Sequence, residues 1–295
     1  MEHRQLKTFQ TVATLLSFNR AAAQLHYAQS SVSAHIQALE DELGVPLFDR
    51  IGRKVVLTEA GEKLLGYASR IMDLTNETIS QVTGTEPTGG PTIRVPETLG
   101  IHVMPEVIQE FSDRFPKVSL RLITCAMEGL ARDLGKGLID MALLFAEGVQ
   151  SARLNADPLM FEELVIVANP NHPLTKTDCV TTAALAREQL LWASTDCAYL
   201  RMFERLFLEA GVSPRSTLEF NSIEAIRACV RRGVGITILP RMAVQSYIDE
   251  GLMTPLPWEG GRPETAVLMI WHQSKWLSPT LLAFMDCERD RFSRR

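Results

Sequence analysis

A chain of 295 residues, 46% apolar and 22% charged, has room for two or three hydrophobic cores and the composition of a folded globular protein, which excludes a disordered or fibrous chain. No apolar run reaches the roughly 18 residues of a membrane span, and Glu2, Arg4 and Lys7 mark the first stretch as a structured helix and not a secretory leader, so a cytoplasmic protein is expected. The formal net charge of −5 excludes a chain coated in positive charge, but residues 1–58 hold six cations against five acids, +1 against −6 for the remainder, which leaves room for a small basic face at that end.

In chain order, the first element is an amphipathic helix, with Leu6, Phe9, Ala13 and Leu16 at three- and four-residue spacing on one stripe. Ser17 and Asn19 offer oxygens to cap a second helix, Arg20–Leu25, whose Ala21, Ala22 and Ala23 admit a neighbouring helix at close range. After a break at His26–Tyr27, a third helix turns Val32, Ile36, Leu39 and Leu43 inward until Gly44 stops it and Pro46 prevents its resumption. Its outward N-terminal end carries Gln29, Ser30, Ser31, Ser33 and Ala34, short and mostly polar. A recognition helix needs such an end, because its first turns enter the major groove and small groups approach phosphates. Gln29 suits a bidentate pair with adenine. A solvated helix face would carry the same residues; the next segment decides between the two. In FDRIGRKVVLT, Arg50, Arg53 and Lys54 surround a glycine turn between two extended runs, the pattern of a β-hairpin wing with cations for phosphates or the minor groove.

Over residues 1–66 the sequence closely resembles the LysR-type transcriptional regulators. The resemblance is carried by Leu6–Phe9, Ser17–Ala22, Gln29-Ser30, Val32-Ser33, Ile36-Gln37, Leu39-Glu40, Leu43–Phe48, Arg50 and Leu57–Gly61. It implies a winged helix-turn-helix over residues 1–58 that binds double-stranded promoter DNA, with Gln29, Ser33 and Arg53 at the family's contact positions. Arg20, Ser30, Ser31, His35, Arg50 and Lys54 are further candidates. Two departures bear on base preference: Ala28 replaces a capping Ser or Thr, and Ala34-His35 replaces a more usual polar or basic pair.

Residues 59–90 read as a long linker helix and hinge. Leu65, Ala68, Met72, Thr75, Ile79 and Val82 form a coiled-coil seam that Leu64 and Ile71 widen, and one helix cannot bury that seam alone. Its partner is either the chain's own C-terminal domain or, as the resemblance implies, the same helix of a second subunit in dimers that pair into tetramers. The hinge falls in Gly84–Pro91.

Residues 91–295 alternate strands and helices, with strands predicted at Thr92–Val95, Val118–Thr124, Ile139–Phe145, Leu164–Ala168, Leu190–Ala193, Thr217–Phe220 and Gly235–Leu239. A helix with Val103, Val107, Ile108, Phe111 and Phe115 on one stripe covers them, and Pro279–Phe292 is the last helix. The chain is expected to cross between sheets near Asn169–Pro173 and return near Ala266–Trp271. The fold class is thus α/β overall: an all-α winged head, a linker helix, and a two-lobed α/β sensor that the resemblance likens to periplasmic binding proteins, with lobe I about 91–168 and 269–295 and lobe II about 169–268. Ligands of such sheets sit beyond the carboxyl ends of strands, against helix N-termini. The loops Glu97–Gly100, Cys125–Gly129, Thr195–Tyr199 and Asn221–Glu224 qualify, giving Thr98, Leu99, Gly100, Cys125, Met127, Phe145, Thr195, Cys197, Tyr199 and Ser222 as effector-site candidates. Hydroxyls of Thr98 and Ser222 beside helix-start N–H groups suit a small carboxylate or other anion. A helix cap with no ligand is the plain alternative for each.

Five cysteines, Cys125, Cys179, Cys197, Cys229 and Cys287, fall in no CxxC pair, so neither a zinc site nor a disulfide framework is expected, and no cofactor. Cys197 before a helix, with Arg201 one turn on, leaves a thiol redox sensor as an alternative. An enzyme is not expected: there is no HExxH, GxSxG or Walker loop, and Gly233-Val234-Gly235 reads as a helix-to-strand turn. A transport-type solute-binding protein does not account for the fused helix-turn-helix.

Overall fold

The structure, a computed structural model, describes residues 1–52, 54–83, 90–124, 129–146, 148, 151–193 and 197–294. Three helices, α1 (His3–Leu15), α2 (Phe18–Leu25) and α3 (Gln29–Leu43), precede a hairpin of β1 (Phe48–Ile51) and β2 (Lys54–Leu57), and then comes the long helix α4 (Glu59–Thr83). Leu6, Phe9 and Ala13 of α1 are buried as expected, but Leu16 is 46% exposed. It caps α1 in the left-handed conformation, φ 48°, which swings its side chain off the stripe, and Val12 fills the core position. Ser17 alone caps α2, accepting from the Arg20 N–H at 3.3 Å; Asn19 lies inside the first turn. On α3, Val32, Ile36 and Leu39 face inward, whereas Leu43 lies exposed beyond the three-helix core and Leu47 returns to close it. Gly44, at φ +70°, ends α3 with its N–H on the Glu40 carbonyl at 2.8 Å.

The hairpin pairs antiparallel from Phe48↔Leu57 to Ile51↔Lys54. Phe48 fixes it to the helices by ring contacts at 5.4 Å to Phe9 and 5.7 Å to Phe18. Glu40 accepts the Leu47 and Phe48 N–H groups at 2.7 and 3.3 Å, so one carboxylate of α3 sets where the hairpin begins. Helix α4 starts with Thr58 capping Gly61 N–H at 3.0 Å, and Leu64, Leu65 and Ala68 complete the head's core. Each buried leucine contributes about 2 kcal/mol. Gly61 admits a close approach: a Cβ there would lie 2.1 Å from the Leu47 carbonyl oxygen. Gly61→Ala is therefore expected to lower the head's stability by about 1–3 kcal/mol, visible as an earlier thermal transition of the full chain with weaker DNA binding.

The C-terminal domain runs β3 (Thr92–Val95), α5 (Glu97–His102), α6 (Met104–Arg114), β4 (Arg121–Thr124), α7 (Leu130–Gly135), β5 (Met141–Ala146) and β6 (Leu154–Ala168). A short 3-10 turn and α8 (Thr182–Leu185) lead to β7 (Gln189–Ala193), α9 (Cys197–Glu209), β8 (Ser216–Phe220) and α10 (Ile223–Arg231). The chain finishes with β9 (Thr237–Pro240), α11 (Arg241–Asp249), β10 (Thr254–Pro255), β11 (Glu264–His272) and α12 (Pro279–Ser293). Strands β4-β3-β5-β11-β6 form the first sheet; the far half of β6 pairs with β9 and β10 in the second lobe, where β7 and β8 run parallel. Gly233, at φ +75°, makes the expected helix-to-strand turn between α10 and β9.

The change of sheet occurs inside β6, between Glu163 (paired with β11) and Leu164 (paired with β9), earlier than Asn169–Pro173; the return is made by β11 (Glu264–His272), which contains Ala266–Trp271. A strand shared by two sheets needs no turn residues at the crossing, so breaker residues misplace it. Residues Leu154–Glu163, absent from the predicted strands, pair with β11 despite Pro158. A register shift opposite Val267/Leu268 accommodates that proline. The final helix packs on α6, with Phe284 and Phe111 ring centroids at 5.3 Å. Among the described residues no helix is long and apolar enough to cross a membrane.

Candidate functional site

The first site is the outward face of α3. Its N-cap Ala28 makes no side-chain cap bond, as its identity dictates. Gln29, Ser30 and Ser31 are exposed and Ser33 half-buried, with the Gln29 amide donating to the Ser33 hydroxyl at 2.9 Å. That bond is an i,i+4 pair that water or a base edge can replace. His35 faces elsewhere. Its Nδ1 lies 2.9 Å from the Thr8 hydroxyl and its ring meets Tyr27 edge-on at 5.7 Å, because α1 crosses α3 there. Arg20 donates to the Leu15 carbonyl and so closes the end of α1. Arg53 lies outside the described residues, as do the side chains of Arg50 and Lys54; Gly52, at φ +64°, sits in the hairpin turn beside them.

The second site is the cleft between the lobes. Parallel neighbours β3 and β4 in one lobe and β7 and β8 in the other all lead at their carboxyl ends into the four loops singled out above. Ser222 caps α10, accepting from the Ala225 N–H at 3.4 Å. Facing it across the cleft is Glu97, in the first turn of α5: its carboxylate accepts from the Ile223 N–H at 3.1 Å and from the Ser222 hydroxyl at 3.4 Å. Gly100 is half-buried on the same turn. Thr98 and Leu99, both 0% exposed, and Phe145, 2% exposed, belong to the interior, since β5 is covered on both faces and the stripe of α5 faces inward. Cys125, Met127 and Thr195 lie outside the described residues, and so do the side chains of Cys197 and Tyr199; Cys197 is the first residue of α9.

A third feature joins head and sensor. Lys275, 7% exposed in its side chain, bonds Asp73 of α4 at 3.1 Å and pairs with Asp140 before β5. The other Asp140 oxygen accepts the Thr92 N–H at 2.7 Å, at the first residue of β3. Burial works against the Lys275 charge, but the two carboxylates outweigh it and hold its pKa above the ordinary lysine value. Burial pushes the Asp73 carboxyl up, with Lys275 opposing. Lys136 of the sensor pairs with Glu62 of α4, so this helix is fastened at two points along one face. Its seam is divided. Leu65 and Ala68 are buried in the head, while Ile79 and Val82 are 54% and 80% exposed, together with Tyr67 and Leu74 off the seam.

Sequence reasoning singled out the Glu97–Gly100 loop but not the Glu97 side chain, and missed Lys275 altogether. The acid next to a hydroxyl residue after a strand was a usable signal for the first; a lysine in a polar turn offers none for the second. Among the described residues no group of three or more His, Cys, Asp or Glu is arranged to hold a metal. Cys179, Cys229 and Cys287 are free thiols.

The family model of the LysR substrate binding domain matches residues 84–293, and that of the bacterial regulatory helix-turn-helix protein, lysR family, matches residues 3–62. The chain is 38% identical over 296 aligned residues to an uncharacterized HTH-type transcriptional regulator, YwqM, of Bacillus subtilis, covering 99% of this chain and 100% of that one. It is 30% identical to the RuBisCO operon transcriptional regulator of Allochromatium vinosum, over 96% of this chain and 94% of that one. Among solved structures, a full-length OxyR variant from Pseudomonas aeruginosa superposes with a TM-score of 0.74 at 25% identity, over 99% of this chain and 94% of that one. With both of its halves matched in the same order and relatives that are regulators, not enzymes, the chain belongs to the LysR family of transcriptional regulators, a helix-turn-helix DNA-binding domain joined to an effector-binding domain.

Proposed function

We propose that this regulator binds an interrupted palindrome in promoter DNA as a dimer or a dimer of dimers in the cytoplasm, and that a small carboxylate or related anion in the inter-lobe cleft changes the placement of its heads. The DNA-binding part draws support from the exposed Gln29, Ser30 and Ser31 at the start of α3 and from the β1–β2 hairpin that follows it in the chain. Gln29 reads base edges, and Arg50, Arg53 and Lys54 of the hairpin neutralise phosphates. Self-association draws support from the unburied half of the α4 seam, where Ile79 and Val82 are more than half exposed, with Leu74 exposed beside them. Dimer geometry then sets the half-site spacing.

For the effector, the single carrying observation is that Ser222 and the Ile223 N–H of one lobe meet the Glu97 turn of the other. A ligand there touches both lobes, and only a ligand with different affinity for two lobe arrangements shifts the balance between them. Arg53→Ala is expected to weaken binding on all DNA sequences and to flatten its salt dependence by about one unit of log-log slope. Gln29→Ala is expected to relax sequence preference at one base position by about 1–3 kcal/mol while non-specific binding holds. Fluorescence anisotropy on selected and scrambled duplexes at several salt concentrations checks both, and equal loss on both duplexes in Gln29→Ala removes its assigned role. A second reading, thiol sensing by Cys197, is favoured by that residue's position as the first of the 13-residue α9, where a helix terminus lowers a thiol pKa.

A further inference from the structure

We propose that Glu97 is an internal clasp: in the effector-free protein its carboxylate holds the two lobes together, standing where the carboxylate of an effector would stand, and an anionic effector acts by displacing it. The clasp presupposes the cleft as the effector site and adds how that site is occupied and released.

Glu97 follows β3 directly in lobe I, while its partners Ser222 and Ile223 lie 125 and 126 residues further on, at the start of α10 in lobe II. Neither end is a loose surface group. Thr98 and Leu99 beside Glu97 are fully buried, and so is the Ile223 side chain, all at 0% exposure. A bond between two such anchored turns links rigid bodies, so its loss is felt as lobe movement and not as side-chain motion. The occupancy is exclusive. Ile223 has one backbone proton and Ser222 one hydroxyl proton, and both are donated to Glu97. A second carboxylate cannot share them, and two ionised carboxylates at that distance repel. An effector carboxylate that takes both protons leaves the hydrogen-bond count unchanged but replaces a bond within the protein by one through the ligand.

The release has a path to the DNA-binding head. Glu97 stands just beyond one end of the four-residue strand β3, and the strand's other end, Thr92, is held by Asp140, which pairs with Lys275 and through it with Asp73 of α4. The cleft and the linker helix are thus tied to the two ends of one short strand.

The test uses the full chain with Glu97→Ala and Glu97→Gln, acetate as the carboxylate probe and methylammonium as the cation control. Amide exchange at Ile223 is expected to be about tenfold faster in Glu97→Ala than in the wild type, the effect of losing one charge-assisted bond. Acetate should restore protection in Glu97→Ala and leave the wild type unchanged. Glu97→Gln, which keeps the shape and removes the charge, should also admit acetate, and it carries the test should the alanine variant fold poorly. Unchanged Ile223 exchange in Glu97→Ala, or equal acetate protection of wild type and variants, overturns the clasp. Protection of the wild type by methylammonium overturns it too, by making Glu97 the receptor of a cation. The DNA footprint of the variants is read in parallel and should depart from that of the wild type, since they lack the clasp an effector would release; a footprint identical to the wild type overturns the release step. The cleft assignment itself fails on a different result, a carboxylate response that persists in Ser222→Ala.

Discussion

Lys275→Met is expected to destabilise the full chain by about 3 kcal/mol and to loosen α4 from the sensor domain. The methionine keeps the length of the stem but leaves Asp73 and Asp140 facing each other with no cation between them. Removing one member of a buried ionic group costs about 3–5 kcal/mol, because the remaining charges cannot return to water. The lower end applies here, since the Asp73 side chain keeps 34% of its exposure while Asp140 keeps 18%. Lys275→Met combined with Asp73→Asn and Asp140→Asn should recover much of the loss, as neutral amides carry no such penalty. Urea unfolding followed separately in head and sensor measures it. A loss below about 0.5 kcal/mol, the level of a surface ion pair, would mean that the cluster is solvated and does not fasten the two domains.

Glu288→Met should act in the opposite direction and raise stability at neutral pH by about 3 kcal/mol. Glu288 lies on α12 at 0% exposure among Phe284, Met285 and Phe292, and neither carboxylate oxygen has a hydrogen-bond partner among the described residues. Burial alone pushes its pKa up from 4.5 to about 8. Because the folded-state pKa is the higher one, the folded protein holds the proton after the unfolded chain has released it. The carboxyl therefore imposes no ionisation penalty below about pH 4.5. Between there and about pH 8 stability falls by about 1.4 kcal/mol per pH unit, and above pH 8 the loss is complete and constant. Methionine of similar volume removes both the slope and the unpaired oxygens. Comparing wild type and Glu288→Met by urea unfolding across that window checks the sign. Parallel pH profiles would show that Glu288 has a partner or water access in solution.

Legibility in the sequence followed the range of the interactions. The head was readable nearly whole, because helix stripes, the Ser17 cap, the Gly44 stop and the hairpin turn are all local signals. Its errors were terminal: Leu16 and Leu43 fit the stripe by spacing but sit where the helix has already ended or has outrun its core. In the sensor, short buried strands such as β5 announced themselves by composition, whereas the first part of β6 did not. Asp157, Pro158, Glu162 and Glu163 argue for a loop, and only pairing with β11, about a hundred residues later in the chain, makes a strand of it. The two acids are used elsewhere. Glu162 accepts the Met242 N–H at 2.7 Å and Glu163 forks onto Arg241 at 2.6 and 2.9 Å, which pins the start of α11. The cleft was legible as a set of loops after parallel strands, but not as contacts. Nothing local to Glu97 tells that its partner is Ser222, and nothing local to Lys275 tells that it reaches back to the linker helix.

A small anion in the cleft is expected to change how the heads sit on DNA. The most direct measurement pairs the full chain with duplexes it selects from a random-sequence pool. A panel of small carboxylates is screened by thermal shift, and any ligand found is then footprinted. At least one carboxylate is expected to stabilise the chain, by about 2.7 kcal/mol at a hundredfold excess over its dissociation constant, and to alter the protected DNA, with both effects gone in Ser222→Ala. No response to any carboxylate, together with a peroxide-dependent change in the footprint that disappears in Cys197→Ser, would contradict it and move the sensing chemistry to the thiol.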